Sequence, residues 1–284
     1  MKRLAAATLF VALLLAPNAF AAGDPEIAAL QVGLRHRGVY AGSVDGVLSE
    51  RTVSAVKHFQ RRAGIAVDGV PGHGTRMALG RYGRRAPLGR RVLLAGMRGW
   101  DVAALQFALA WHGFPSGNLD GTFGGSTARA LRKFQRWAGL QADGQAGSAV
   151  VAALRAPLPV CPIPLAAPVA GPYTDLFGPR GNRFHSGIDY PGARGTPVTA
   201  AASGRVTFAG WSAGGWGYLV TIAHGAGVQT MYSHLSRVGV RVGRQVASGQ
   251  RIGRIGASGR ATGPHLHFEV QLRGAAVDPL TGLF

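Results

Sequence analysis

The sequence predicts a multidomain α plus β protein, in which two small three-helix repeats precede a mainly antiparallel β domain. Three observations support this fold class. The first half of the chain matches itself after a shift of 75 residues, and each copy has apolar residues at helical spacing. Residues 156–172 are dense in proline. Beyond them, short β-branched segments alternate with glycine-rich turns, which is typical of an antiparallel sheet.

The composition indicates a folded chain with a basic surface. The chain has 284 residues, 47% of them apolar, and a formal net charge of +19. The basic residues are scattered, which favours a solvated surface over a dedicated polyanion site. Aromatic residues do not interleave with the arginines as they do in a nucleic-acid groove. We therefore expect no nucleic-acid partner, and an anionic cell surface suits the charge better.

The first 21 residues have the features of a secretory signal peptide. Lys2 and Arg3 precede an apolar stretch at 4–15, which is shorter than the ~20 residues of a membrane helix, and residues 19–21 give a small-x-small cleavage pattern. We expect cleavage after Ala21 or Ala22, with an uncleaved anchor as the alternative. The mature protein is then secreted, extracellular or associated with the cell wall, with no integral membrane segment.

The internal repeat indicates that one structural unit is duplicated. The match runs without a gap from Ile27, aligned with Val102, to Leu79, aligned with Leu154. Asp-Gly pairs between the periodic segments predict turns. The identical positions include Asp45-Gly46 with Asp120-Gly121, Phe59-Gln60-Arg61 with Phe134-Gln135-Arg136, and Asp68-Gly69 with Asp143-Gly144.

Each copy is predicted to contain three short helices. In the first copy, apolar residues three or four apart define two helix faces, and Met77 and Leu79 close the unit. Ser49 and Ser126 precede the second helix of their copies and are predicted N-caps. The two faces consist of Ile27, Leu30 and Leu34, and of Val53, Val56 and Phe59.

Both copies resemble the peptidoglycan-binding three-helix domain of bacterial wall enzymes, over residues 24–80 and 97–155. The resemblance rests on Leu-Gln, on the Asp-Gly turn, and on Phe-Gln-x-x-x-Gly before a second Asp-Gly. It implies that peptidoglycan is a partner. The hallmark apolar residues are expected in the core, so ligand contacts are expected at surface positions that differ between the copies: His36 against Trp111, and Tyr40 against Pro115.

Residues 156–172 are predicted to form a semi-rigid, extended linker, because proline-dense sequence favours the polyproline conformation. This linker includes Cys161, the single cysteine of the chain, so an intrachain disulfide is excluded. We expect Cys161 to be a free thiol in an exposed segment.

Residues 173–284 are predicted to form the antiparallel β domain. In the segment 265–272, alternate residues face opposite sides of a strand, so Leu266, Phe268, Val270 and Leu272 are predicted in the core. His265, His267 and Glu269 then line the other face. Two imidazoles on one face suit either two metal ligands or one ligand beside an acid/base group.

His185 and Asp189 are candidates to complete such a site. In a fully extended strand they would be ~13 Å apart, too far for both to reach one zinc ion at ~2 Å. The chain is therefore expected to bend between them, at Gly187. Two imidazoles and one carboxylate suit a catalytic zinc ion, which keeps three protein ligands and leaves a fourth position to water.

The ordered motifs of the last third resemble the lysostaphin-type zinc endopeptidases of bacterial cell walls. The motifs are Phe-Gly-x-Arg, His-x-Gly-x-Asp, Tyr-x-His-Leu and Gly-x-His-Leu-His-Phe-Glu, from about residue 172 to the C-terminus. The resemblance implies that His185, Asp189 and His267 hold Zn²⁺ and that His234 and His265 are catalytic without binding it. His224, in a His-Gly-x-Gly turn, is interpreted as structural.

The expected function is secreted, zinc-dependent hydrolysis of peptide bonds in peptidoglycan cross-links or stems, with the repeats holding the enzyme on the wall. A non-catalytic peptidoglycan-binding or amidase-activating protein is the main alternative. A D,D-carboxypeptidase with a similar zinc site is a second alternative, although the Glu-x-x-His motif of that family is missing. A further hypothesis places the Cys161 thiolate on the zinc ion as a latency device.

Overall fold

The computed structural model describes residues 23–284, and it confirms the predicted fold class. The predicted signal peptide, residues 1–21, lies outside the described residues. The helices are α1 (Pro25–His36), α2 (Glu50–Ala63), α3 (His73–Ala78), α4 (Trp100–Trp111), α5 (Gly125–Trp137) and α6 (Ser148–Ala153). Within residues 23–284, no helix has the length and apolar character needed to cross a membrane.

The helix starts differ between the two repeats. Ser49 caps α2, where its Oγ accepts a hydrogen bond from the backbone N–H of Thr52 at 3.4 Å. The prediction of Ser126 as a cap is wrong, because α5 begins at Gly125 and its N-cap is Gly124, which has no side chain to offer. The 75-residue shift itself aligns Gly124 with Ser49.

Four of the six residues on the predicted helix faces are buried, and the other two, Ile27 and Val53, are partly exposed. Leu30, Leu34, Val56 and Phe59 lie in the core of the first repeat. Leu79 is fully buried and closes the unit, whereas Met77 is 41% exposed and does not. The prediction for Met77 is therefore wrong.

A buried glutamine organises each Asp-Gly turn. Gln31 Oε1 accepts from the N–H of Gly46 at 2.9 Å, and its Nε2 donates to Asp45 at 2.6 Å and to Thr52 Oγ1 at 3.2 Å. A buried amide group needs hydrogen-bond partners, and these contacts supply them. They explain why a polar residue is tolerated in the helical core. The same pattern joins Gln60 to Asp68-Gly69, Gln106 to Asp120-Gly121, and Gln135 to Asp143-Gly144.

The two repeats pack together into one helical body and are not separate domains joined by a linker. Helix α4 of the second repeat packs on α1 of the first, so Trp100 and Phe107 share a core with Leu30. Trp100 Nε1 donates to Glu26 at 2.6 Å across this interface.

The β domain is built around one nine-stranded antiparallel sheet. The strands are β1 (Gly178–Arg180), β2 (Arg183–His185), β3 (Ile188–Pro191), β4 (Pro197–Thr199), β5 (Gly204–Ser212), β6 (Gly217–Ala223), β7 (Val228–Val238), β8 (Gln245–Val246), β9 (Arg251–Ile255), β10 (His265–Leu272) and β11 (Ala275–Val277). The main order of the sheet is β11-β10-β7-β6-β5-β8; β3 also pairs with β10, and β9 pairs with β4 and β7. A separate hairpin joins β1 to β2.

The proline-rich segment from Cys161 onward packs on the β domain. Cys161, Leu165 and Val169 are buried in its core, so the expectation of an exposed thiol is wrong. Leu165 forms a parallel bridge with Leu283, and its N–H donates to Gly282 O at 2.7 Å. Apolar side chains between the prolines gain more by burial against the sheet than by extending into water.

The helical body docks on the β1–β2 hairpin. Backbone N–H groups of Val44 and Leu119 donate to Gly181 O at 2.8 Å and to Asn182 O at 2.7 Å. Trp111 packs edge-on to Phe177 and Phe184, with ring centroids 6.1 and 5.3 Å away.

This docking covers one of the positions expected to contact a ligand. Trp111 lies at the interface between the helical body and the β domain and is only partly exposed. Tyr40 is 7% exposed, yet it lines a pocket of the first repeat.

Candidate metal centre

Strand β10 lies inside the sheet and presents its polar face to a cleft. It pairs with β7 on one side and with β3 on the other, which places His267 opposite both Ser233 and Asp189. The predicted alternation holds, because Leu266, Phe268 and Val270 are fully buried in the core. Leu272 packs on that core while partly exposed.

His185 reaches the same face because the chain bends between β2 and β3. Gly187 lies at this bend, but its backbone is outside the left-handed region. A Cβ there would instead overlap the carbonyl oxygen of Phe268. Glycine is required for this close approach to β10, and the approach brings His185 Nε2 within 3.1 Å of Asp189 Oδ1.

Three candidate ligand atoms from His185, Asp189 and His267 lie within 4.8 Å of one another, and all three residues are buried. His185 Nε2 is 2.9 Å from His267 Nδ1, which is 2.8 Å from Asp189 Oδ1. Ligands of one tetrahedral zinc ion lie about 3.3 Å apart when each bond is ~2 Å. The donor set and its spacing fit such an ion.

The second nitrogen of each ring is already bonded. His185 Nδ1 donates to Leu176 O at 2.9 Å, which leaves Nε2 for the site. His267 Nε2 lies 3.2 Å from Glu269 Oε1, which leaves Nδ1 for the site. A carboxylate behind a histidine ligand orients its ring and raises its basicity. The sequence analysis placed Glu269 on the same strand face as His267 but assigned it no role. Its position two residues after His267 could have indicated that it contacts this ring.

Asp189 is oriented by Arg180, whose Nη2 donates to Asp189 Oδ2 at 2.9 Å and also contacts Asp175. Burial opposes ionisation of Asp189, but hydrogen bonds with His185 and His267 outweigh it and hold its pKa far below the ordinary value. The Phe-Gly-x-Arg motif contained this arginine, without an assigned role.

The electrostatics of the cluster favour a cation. Burial would lower the pKa of His267, but hydrogen bonds with Asp189 and Glu269 raise it to about 9. Two carboxylates on opposite sides of one ring therefore stabilise positive charge at this point of the cleft.

His234 and His265 lie beside the cluster, with ring centroids 4.8 Å apart. Each ring donates its Nδ1–H to a backbone carbonyl, of Ser258 at 2.8 Å and of Gly263 at 2.9 Å. Each neutral ring therefore has an unprotonated Nε2. Burial holds the pKa of His234 below its ordinary value, although the hydrogen bond to Ser258 opposes this shift.

The backbone of His234 is strained. Its φ is +60°, an unusual value for a residue with a side chain, and its N–H donates to Trp216 O at 2.9 Å. Such strain is characteristic of functional positions that the surrounding fold holds in place.

The five predicted site residues line one cleft of about 480 Å³. Thr174, Asp175, Arg180, Trp216 and Arg260 contribute to its walls. His224 lies elsewhere, between Ser203 O at 2.9 Å and Thr230 Oγ1 at 2.6 Å, as its structural interpretation predicted.

Two family models match this chain. Residues 183–279 match Peptidase family M23, and residues 23–79 and 98–154 match the Putative peptidoglycan binding domain. Over 99 residues the chain is 48% identical to the DD-carboxypeptidase/endopeptidase Mpg of Neisseria meningitidis serogroup B, covering 35% of this chain and 23% of that protein. Over 96 residues it is 42% identical to the Peptidoglycan DD-endopeptidase ShyA of Vibrio cholerae, covering 34% of this chain and 22% of that protein.

A solved structure with a similar sequence is the catalytic domain of the antimicrobial peptidase lysostaphin from Staphylococcus simulans. It is 36% identical, with 38% of this chain and 89% of that chain covered and a TM-score of 0.37. The chain spans less than a quarter of the length of the two curated relatives. Residues 183–279 thus form a domain that matches Peptidase family M23, and two segments that match the Putative peptidoglycan binding domain precede it.

Proposed function

We propose that the protein is a secreted, zinc-dependent endopeptidase that cuts peptide bonds in peptidoglycan cross-links or stems. The observation that supports this most directly is the convergence of His185, Asp189 and His267 to within 4.8 Å at the floor of an open cleft. When bound there, zinc would supply Lewis acidity that activates a water molecule and polarises the scissile carbonyl.

His265 is the proposed general base. Because Gly263 O holds its Nδ1–H, the lone pair of Nε2 is free to take a proton, and Nε2 lies 4.0 Å from Asp189 Oδ1 at the edge of the ligand set. His234 is the proposed second catalytic histidine. Once protonated, its Nε2 would donate to the developing oxyanion or to the leaving amine.

The proposed location is the cell envelope, outside the cytoplasm. The predicted signal peptide and the two peptidoglycan-binding domains support it. The repeats would hold the enzyme on its polymeric substrate, which raises the local concentration of cleavable bonds.

Two other activities need separate readouts. A non-catalytic wall-binding protein would lack a complete ligand set, whereas His185, Asp189 and His267 are all present here. Carboxypeptidase activity would release a terminal amino acid instead of opening a cross-link, and one relative is named for both activities.

The test combines metal analysis with product analysis on purified peptidoglycan. We expect about one zinc ion per chain, new amines from opened cross-links, and no release of terminal D-amino acids. Release of terminal residues alone would indicate a carboxypeptidase. Binding to the wall with bound zinc and no products would contradict the proposal.

A further inference from the structure

A second pocket, of about 400 Å³, lies between the second repeat and the β domain. One wall comes from α5 and the loop before it, with Ser116, Arg129 and Lys133. The other wall comes from β10 and its neighbours, with Glu269 and Gln271. The contact that forms this seam is direct, because Ala276 N–H donates to Gly113 O at 3.1 Å and Trp137 Nε1 donates to Leu272 O at 3.2 Å.

The repeat wall of this pocket has a counterpart at equivalent positions of the first repeat. A pocket of about 420 Å³ there is lined only by first-repeat residues. Shifting its numbers by 75 converts Ala41, Ser54 and His58 into Ser116, Arg129 and Lys133. The duplicated unit therefore provides the same concave surface twice, and only the second copy adjoins the β domain.

The second copy adjoins the metal cleft. Ser186 and Trp216 line both pockets, so the seam and the cleft with the candidate metal ligands share these two side chains as a common boundary. On its far side the seam continues into a groove of about 560 Å³, where Lys133, Arg136 and Arg273 are close together.

The chemistry of the seam suits an anion. Arg129 and Lys133 are exposed, four residues apart on α5, and neither forms an ion pair within residues 23–284. Ser116 Oγ has no hydrogen-bond partner among the described residues, but it is buried, with the residue 3% exposed, so the accessible donors of this wall are the two cations. Glu269 is the one acidic lining residue, and its carboxylate already accepts from Ser186 and faces His267.

We propose that this seam is a substrate subsite, in which Arg129 and Lys133 bind a free carboxylate of the stem peptide whose scissile bond lies at the metal centre. The inference rests on the proposed function. The second repeat is then part of the active-site cleft, whereas the first repeat is not. Charge-assisted bonds to a carboxylate give both affinity and orientation.

The test uses the full-length, zinc-loaded protein and two soluble cross-linked peptide fragments. One fragment has free carboxylates, and in the other these are converted to carboxamides. Arg129→Glu/Lys133→Glu should raise KM for the first fragment about tenfold or more, with kcat nearly unchanged and little change for the second fragment. The matched control is Lys57→Glu/Arg132→Glu, which reverses two exposed cations at equivalent positions outside both repeat pockets.

The outcomes are distinct. If Arg129→Glu/Lys133→Glu raises KM equally for both fragments, the proposed subsite is wrong. It is also wrong if the control variant raises KM for the carboxylate fragment as much. If the zinc-loaded wild type cuts neither fragment, the proposed hydrolysis fails, and calorimetric binding then decides the subsite. The subsite is supported if only Arg129→Glu/Lys133→Glu binds the carboxylate fragment more weakly than the wild type does. Unchanged binding in this variant would refute the subsite.

Discussion

Nε2 of His267 lies 3.2 Å from Oε1 of Glu269, two residues further along the same strand. Glu269 is 2% exposed and also accepts a hydrogen bond from Ser186. The carboxylate thus fixes which ring nitrogen of His267 faces the candidate metal centre.

Glu269→Ala should weaken zinc affinity about 10- to 100-fold, because the ring of His267 loses its orienting partner. Glu269→Gln should lose less zinc affinity, since the amide oxygen of glutamine can still accept a hydrogen bond from Nε2 of His267. Competition with a chromophoric chelator measures both affinities. Wild-type affinity in Glu269→Ala would show that the carboxylate does not orient the ligand.

His267→Ala should lose both zinc and activity, because a catalytic site with two protein ligands holds zinc poorly. His265→Ala should keep about one zinc ion per chain and lose activity by about 10²- to 10⁴-fold, the usual contribution of a general base. Elemental analysis and hydrolysis of a soluble peptide check the two variants. Equal zinc loading in both would contradict the proposed division of roles.

Trp111→Ala should loosen the helical body from the hairpin that ends at His185. We expect a loss of about 2 kcal/mol in the free energy of unfolding, below the ~3–5 kcal/mol of a fully buried tryptophan, and slower hydrolysis of soluble peptides. Trp211→Ala is the control, because Trp211 is 61% exposed. Comparable losses in the two variants would argue against a specific docking role.

His224 should make stability depend on pH. Burial lowers its folded-state pKa below the 6.5 of the unfolded chain. The unfolded chain then binds more protons, so stability is present above pH 6.5 and declines as the pH falls below it, by at most about 1.4 kcal/mol per pH unit. Denaturation of wild type and His224→Gln between pH 7 and 5 should show the smaller decline in the variant. Parallel curves would exclude this contribution.

Cys161→Ser should leave basal activity unchanged, because the thiol packs in the β core, with Sγ 3.3 Å from Ile163 O. Burial also raises the thiol pKa, so the native protein should react slowly with a thiol reagent and rapidly in denaturant. The buried serine hydroxyl of the variant should lower the free energy of unfolding by about 1–3 kcal/mol. Increased basal activity of the full-length variant would revive the latency hypothesis, in which Cys161 binds the zinc ion.

The sequence alone was sufficient for the features that depend on local pattern. The 75-residue repeat, the helices with Leu30 and Phe59 inside, and the alternation that separates Leu266 from His267 follow from residue spacing. Side-chain direction in a helix or strand is set within a few residues, so periodicity determines which side chains share a face. The resemblance to known motifs then nominated His185, Asp189 and His267 together.

The tertiary structure decided the features that depend on distant segments. Asp189 meets His267 only through the register of β3 on β10, and the positions of Glu269 and Arg180 around these two residues depend on that register too. Cys161 is buried because the sheet offers it a surface, and Ser116 and Arg129 line the seam because the second repeat docks there. Spacing along the chain specifies faces, whereas contacts between segments some 80 residues apart depend on how those faces pack.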